Sequence, residues 1–110
     1  MSKGELEEAY EIFSKIIESS PDWPEGWNKR ATVLYLMGKY ENSLSDIDEV
    51  LKRESRHFGA LSGQALVQIK LKNYEKAINS YKAAQKIYPS IKAAEIMIPQ
   101  LQELINNETI

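Results

Sequence analysis

Two stretches of the sequence, MGKYENSLSDIDEVLKRES at residues 37–55 and LKNYEKAINSYKAAQKIYP at residues 71–89, carry related residues at matching places. Tyr74 follows Tyr40 by 34 positions, and Glu75 follows Glu41 by the same interval. A fixed period of this size is typical of proteins built from stacked structural repeats. The sequence therefore predicts a repeat architecture in which one supersecondary unit occurs more than once.

The composition limits the classes of protein to consider. The chain has 110 residues, no cysteine and a formal net charge of −2. This length fits one domain, and the lack of cysteine excludes a disulfide scaffold and a thiolate metal site. No apolar run approaches the roughly 18 residues needed to span a bilayer, and the N-terminus lacks the apolar core of a signal peptide. The sequence predicts a cytoplasmic protein without a membrane segment.

Charge is distributed unevenly along the chain. Residues 52–92 carry nine basic and two acidic side chains, whereas residues 1–22 carry two basic and six acidic ones, and residues 93–110 carry three acidic and no basic ones. A basic middle between acidic ends could serve an acidic partner or a head-to-tail contact between copies. A solvated helix surface explains the same clustering and is the more common reason for it.

Helical periodicity runs through most of the sequence. Residues 5–19 place apolar side chains three and four positions apart, and the prolines of SSPDWPEGW then interrupt the pattern. The spacing predicts further helices at about 24–37 and 40–54, and the same pair recurs at 58–71 and 74–88. A last apolar stripe between residues 90 and 106 predicts a closing helix. The chain is thus predicted to stack helical hairpins.

These residues resemble the tetratricopeptide repeat, a helix-turn-helix unit of 34 residues. The places that carry the family pattern hold Trp27, Ala31, Ser43, Ile47, Val50 and Ser55 in one copy, and Leu61, Ala65, Ala77, Tyr81, Ala84 and Pro89 in the next. The resemblance implies an all-α fold, a right-handed α-solenoid of about two and a half repeats plus a C-terminal capping helix. Within a single domain of residues 1–110, it implies a half repeat at 4–23, repeats at 24–57 and 58–91, and the capping helix at 92–106.

Several residues depart from the family pattern or test it. Arg30 and Gln64 stand where the family usually has leucine, which predicts a more polar seam between repeats. Trp27 is expected to be largely buried between the two helices of its hairpin. Glu95 occupies the place of Trp27 and Leu61 in the last helix, where a charge indicates a terminal element. Pro99 is expected to kink or split that helix.

The search for catalytic chemistry returns little. The only histidine, His57, lies in the turn between the two repeats with no evident catalytic partner, so we interpret it as a structural residue. Asp46, Asp48 and Glu49 are spaced as on a solvated helix face and do not form a metal-binding pattern. The lysines of residues 70–86 lack free aromatic neighbours for stacking on bases, which disfavours nucleic-acid binding. The sequence predicts neither an enzyme nor a protein with a metal, a cofactor or a small-molecule substrate.

The surface created by stacking is the remaining candidate for function. By resemblance to the family, the first helix of each hairpin lines a concave groove that binds a peptide or helical segment of a partner protein. The groove positions here are Asn28, Thr32, Tyr35, Ser62, Gly63, Leu66, Ile69 and Ile96. The alternative is a self-associating assembly element, or a fragment of a larger multidomain protein whose activity lies elsewhere. The chain is expected to be a monomer or a weak homo-oligomer.

Some members of this family grip the C-terminal carboxylate of chaperone tails through lysine, arginine and asparagine side chains on three successive first helices. The corresponding places here hold Asn28 and Thr32, then Gly63, then Ala93 and Met97. Because the lysine and arginine donors are missing, the sequence predicts no preference for such tails.

Overall fold

The computed structural model describes residues 1–108, which form six α-helices and no β-strand. The helices are α1 (Lys3–Ser19), α2 (Pro24–Leu36), α3 (Tyr40–Arg53), α4 (Phe58–Lys70), α5 (Tyr74–Ile87) and α6 (Lys92–Glu108). Each helix packs on its neighbours in the chain, and α2 also contacts α4. The molecule is elongated, with extents of 47 × 29 × 20 Å. The predicted all-α solenoid is confirmed.

Local signals in the sequence set the starts of the helices. The hydroxyl of Ser2 accepts a hydrogen bond from the backbone N–H of Glu5, whose side chain accepts one in return from the Ser2 N–H, so α1 begins with a capping box. Pro24 opens α2 at a position where its missing N–H costs nothing. His57 caps α4, because its Nδ1 accepts from the Ala60 N–H at 3.0 Å. The turn between hairpins therefore has a structural use for the only histidine.

The two hairpin turns have the same backbone geometry. After α2 the Gly38 N–H donates to the Tyr35 carbonyl and the Lys39 N–H to the Leu34 carbonyl, which together form a Schellman motif. The matching bonds after α4 run from Lys72 to Ile69 and from Asn73 to Gln68. The motif needs a left-handed residue, which is Gly38 at φ 77° in the first turn and Lys72 at φ 62° in the second. Only the second turn places a side chain in this unfavourable region.

Small residues allow the helices to approach one another. Ala31, Ala65, Ala77 and Ala84 are all buried, as their places in the repeat predict. The core has two parts: one is built around Ile47, Val50 and Val67, and the other around Tyr81 and Leu101. Since Leu101 is only 1% exposed, α6 closes the second part as the predicted capping helix would. Pro99 lies inside α6 but does not split it.

Polar links join the two helices of each hairpin, sixteen positions apart in the chain. In the first hairpin Nε and Nη2 of Arg30 each donate to a carboxylate oxygen of Asp46 at 2.8 Å, and in the second the Ser80 hydroxyl donates to the Gln64 side-chain oxygen at 2.8 Å. The hydrogen bonds to Asp46 raise the pKa of Arg30 above its ordinary value. Polar contacts therefore lie inside the hairpins and also between repeats, where the sequence predicts them, since Arg30 donates to the Ser14 hydroxyl of α1 at 3.2 Å.

Asp46 corrects one sequence-based interpretation. The spacing predicts that it lies on a solvated face together with Asp48 and Glu49, yet it is buried, because helix α3 turns it toward Arg30. Glu49 does belong to a polar surface, where it accepts from Arg53 at 2.9 Å and from Lys52 at 3.3 Å. These hydrogen bonds lower the pKa of Glu49 below its ordinary value. Spacing within one helix could not distinguish the two carboxylates.

Trp27 is only partly buried, contrary to the expectation that its own hairpin would enclose it. Its indole Nε1 donates to the Pro21 carbonyl at 2.8 Å, and the same oxygen accepts from Nε of Arg53. The guanidinium carbons of Arg53 and Arg30 lie 5.0 and 5.4 Å from the ring centroid, within the range of a cation–π interaction. The tryptophan thus links the turn between α1 and α2 to α3, and its ring remains partly exposed to solvent.

The left-handed Lys72 gives a direct test of the turn geometry. We expect Lys72→Gly to raise the free energy of unfolding by about 0.5–1 kcal/mol, because glycine relieves the left-handed strain. Lys70→Gly is the matched control: it lies two residues earlier in α4 and should lower the same quantity by about 1 kcal/mol. Urea denaturation of both variants measures the two effects. Equal losses for both variants would contradict the assigned turn.

Candidate functional site

A pocket of about 290 Å³ lies between α2 and α4 on the groove side of the first hairpin. We call it the α2–α4 pocket. Its walls come from the first helices and its floor from α3, and its lining residues are Asn28, Ala31, Thr32, Tyr35, Ser43, Ile47, Gly59, Gly63, Leu66 and Val67. The volume suits one or two side chains of a bound segment, at the small end of ligand sites.

Two glycines of α4 keep one wall of the pocket free of side chains. A Cβ added at Gly63 would meet only the Ile47 Cδ1, at 3.8 Å, which is ordinary contact. A Cβ at Gly59 would lie 3.2 Å from the His57 ring, so this glycine gives the capping histidine its room. Glycine inside a helix costs about 1 kcal/mol relative to alanine, and at Gly63 no packing contact requires it. The open space at Gly63 is therefore not explained by the fold alone.

Polar groups on α2 face the same space. The Thr32 hydroxyl donates to the Asn28 carbonyl at 3.1 Å, so its hydrogen stays within its own helix. The half-buried Asn28 side chain makes no hydrogen bond to any part of the chain that the structure describes, and its Nδ2 lies 3.7 Å from the place of a Cβ at Gly59. Its amide keeps both donors and its acceptor available. Asn28 can therefore bond a backbone that enters the pocket.

The remaining walls are apolar and aromatic. Leu66 is 45% exposed at the pocket, and Tyr35 contacts Tyr40 with ring centroids 5.8 Å apart. Burial raises the pKa of the nearby Tyr81, with a smaller electrostatic contribution from Tyr35, so the Tyr81 phenol stays neutral at neutral pH. None of the lining residues carries a charge. The pocket is suited to an apolar group with a few neutral hydrogen bonds.

The structure brings five of the eight predicted groove residues into this pocket, namely Asn28, Thr32, Tyr35, Gly63 and Leu66. Ser62 and Ile69 lie on other faces of α4, and Ile69 packs against the second part of the core. Ile96 is 55% exposed on α6, outside the pocket lining. The floor residues Ser43, Ile47 and Val67 were not among the predicted set. The repeat pattern includes Ser43 and Ile47, but it does not show that they border a gap between α2 and α4, and it gives no signal for Val67.

Other kinds of site find little support in the described chain. Within residues 1–108, no group of histidine, aspartate and glutamate side chains is arranged to hold a metal ion. Across the same residues, none of the helices has the length and apolar character required to cross a membrane.

His57 contacts the Glu25 carboxylate through Nε2, which carries the proton of the neutral ring because Nδ1 accepts from Ala60. Both ring nitrogens are thus used structurally.

Comparison with known sequences gives one consistent result. The profile of the family described as anaphase-promoting complex, cyclosome, subunit 3, which is of the tetratricopeptide type, matches residues 2–84. A TPR repeat-containing protein of Rhizobium etli is 38% identical over 102 residues, which cover 92% of this chain and 50% of that protein. Tetratricopeptide repeat protein 12 of Mus musculus is 28% identical over 108 residues, covering 98% of this chain and 14% of that protein. The chain spans half or less of these curated relatives.

Solved structures show the same fold. The first TPR of Spaghetti (RPAP3), bound to the HSP90 peptide SRMEEVD, superposes with a TM-score of 0.89 at 18% identity, covering 94% of this chain and 82% of that one. The Arabidopsis OM64 TPR domain gives a TM-score of 0.86 at 14% identity, covering 91% and 83%. At these identities the likeness is one of fold.

The open space at Gly63 predicts a gain in stability when it is filled. We expect Gly63→Ala to raise the free energy of unfolding by about 0.5–1 kcal/mol, because alanine favours the helix and its methyl meets no close contact. Gly59→Ala is the control in the same pocket, and should gain less or lose stability because its methyl crowds His57. Thermal and urea melts measure both. A loss of stability in Gly63→Ala would mean that the glycine serves the fold.

Proposed function

The chain belongs to the tetratricopeptide-repeat family, and we propose that it is a non-catalytic scaffold that binds a peptide or helical segment of a partner protein in the α2–α4 pocket. The observation that carries the proposal is the side-chain amide of Asn28, which makes no hydrogen bond within residues 1–108 and lies beside the α4 wall of Gly59 and Gly63. An amide with unused donors and acceptor can hydrogen-bond a partner's main chain, and a glycine wall lets that main chain come close.

The bound segment should place an apolar side chain in the pocket. Leu66 and Tyr35 offer apolar surface at the rim, and Ile47 and Val67 offer it at the floor. Exposed apolar residues around a concave site with few polar groups are typical of peptide-binding grooves, in which a few anchors supply most of the affinity. Because one pocket of this size buries little surface, micromolar affinity is the natural expectation. This partner is a protein segment rather than a small-molecule substrate or a nucleic acid.

The groove proposal predicts that one side of α4 controls binding. Peptides selected from a displayed random library against the intact chain should bind with micromolar Kd and shift the amide resonances of Asn28, Thr32 and Gly63. Leu66→Lys should weaken binding by roughly tenfold or more, because it places a charge against an apolar anchor. The matched control is Ile96→Lys, which introduces the same charge at a comparably exposed aliphatic residue outside the pocket and should leave binding nearly unchanged.

The same experiment can contradict the proposal. If the shifts instead map to the outer faces near Lys76, Lys82 and Lys86, and Leu66→Lys binds normally, the basic outer surface is the site. If Ile96→Lys weakens binding as strongly as Leu66→Lys, the segment runs along a longer groove that includes α6, as the sequence alone predicts.

The solved neighbour that carries the HSP90 peptide SRMEEVD motivates a negative prediction. No lysine or arginine lines the α2–α4 pocket, and Ala93 and Met97 occupy the corresponding places on α6. A free carboxylate and acidic side chains would enter this surface without cationic partners. Calorimetric titration with SRMEEVD should therefore show no measurable binding. Micromolar binding that is lost when the peptide's C-terminus is amidated would contradict this account of the pocket.

A further inference from the structure

One face of α1 is open where the equivalent faces of α3 and α5 are closed. Four equivalent positions of the second helices are buried in α3 and in α5. They are Ser43, Asp46, Ile47 and Val50 in α3, and Ala77, Ser80, Tyr81 and Ala84 in α5. One period earlier, the same positions of α1 hold Ala9, Ile12, Phe13 and Ile16, none of which is buried, and Ile12 is 51% exposed. This face is entirely apolar.

The missing cover explains the difference. Helix α3 contacts both α2 and α4, and α5 contacts both α4 and α6, but α1 contacts only α2, which reaches Ile16 through Gly26 and leaves Ile12 exposed. Helix α6 has the opposite gap, because it contacts only α5. Helix α4 faces its second helix at three repeat positions, and α2 does so at the equivalent ones. The same repeat positions of α6 hold Glu95, Pro99 and Gln102, and all three side chains are exposed. The open face of α1 and the exposed places of α6 thus correspond to the two halves of one hairpin.

The side chains at these two ends match in the register of the repeat. Within a hairpin, Arg30 links to Asp46 and Gln64 links to Ser80, in each case sixteen positions apart. Continued by one period, the first member of the pair becomes Ile98, and the second falls on the register position of Ile12. The first hairpin pairs two opposite charges, and the second pairs two neutral polar groups. The pair formed by the two ends would join one isoleucine to another.

A second pair in the same register joins opposite charges. Leu61 of α4 borders one pocket together with Ala83 and Ile87 of α5, so these positions face each other within a hairpin. The equivalent of Leu61 in α6 is Glu95, and the equivalent of Ala83 in α1 is Lys15. Glu95 is exposed on α6, and Lys15 would neutralise its charge on contact.

We propose that α6 of one copy docks on α1 of a second copy as the two helices of an additional hairpin. The contact is head-to-tail, so each added copy leaves a new free end and the assembly is open rather than a closed dimer. The interface consists of one helix pair and is smaller than a standard stable interface, so association should require concentrations from high micromolar to millimolar. The α2–α4 pocket takes no part in it, and the inference does not depend on the proposed peptide site.

Sedimentation equilibrium of the 110-residue chain over this range tests the proposal. The weight-average mass should rise continuously past that of a dimer. Ile12→Arg and Glu95→Lys should each weaken association by roughly tenfold or more, since the first removes one half of the isoleucine pair and the second one half of the charge pair. Adding Lys15→Glu to Glu95→Lys should restore it. Lys82→Glu changes an exposed charge on the outer helix α5 and serves as the control, and circular dichroism checks that every variant remains helical.

A mixing experiment separates this arrangement from its alternative. The Ile12→Arg chain keeps a competent α6 and the Glu95→Lys chain keeps a competent α1, so an equimolar mixture should form one heterodimer and stop there. A wild-type mass that stops at a dimer and ignores Glu95→Lys would show pairing of α1 with α1 and overturn the proposal. A wild-type chain that stays monomeric at millimolar concentration would also overturn it.

Discussion

The polar link between the two helices of each hairpin fixes the position of the first helix against the second. In the first hairpin this link is charged and bidentate, from Arg30 to Asp46. The same guanidinium donates to the Ser14 hydroxyl at 3.2 Å and lies over the rings of Tyr10 and Trp27, so one side chain joins α1, α2 and α3. A slipped register would leave a buried carboxylate without its partner, which is costly. The position of α2, and with it one wall of the pocket, depends on this link.

The pocket follows from the spacing of the first helices together with the choice of small residues. Ala31 and Ala60 let α2 and α4 approach the second helices closely, whereas Gly63 removes bulk where α4 borders the pocket. The fold uses the alanines to close its core. The glycine contributes nothing comparable to packing and lowers the stability of α4. A stability cost without a packing gain is the pattern expected of a functional position.

The sequence predicted the features that depend on local periodicity. The repeat interval and the apolar stripes gave six helices close to their observed bounds, and the alanine positions gave the helix crossings. Asp46 was misassigned because its burial depends on Arg30, which lies on another helix. The left-handed conformation of Lys72 was not predicted, because a lysine rarely adopts it, whereas a glycine such as Gly38 commonly does. The groove prediction included Ile96 because it ranked residues by repeat position, whereas the pocket depends on the local distance between α2 and α4.

A double-mutant cycle on Arg30 and Asp46 tests most directly whether the polar link holds the hairpin. The second hairpin supplies the replacement, since Gln64 and Ser80 occupy the same places. We expect Asp46→Ser alone to lower the free energy of unfolding by about 3 kcal/mol, because it leaves the guanidinium without its carboxylate. The double variant Arg30→Gln with Asp46→Ser should lose only about 1 kcal/mol, since a neutral hydrogen bond replaces the ion pair. If the double variant instead loses the sum of the two single losses, the two residues are not coupled and the account is contradicted.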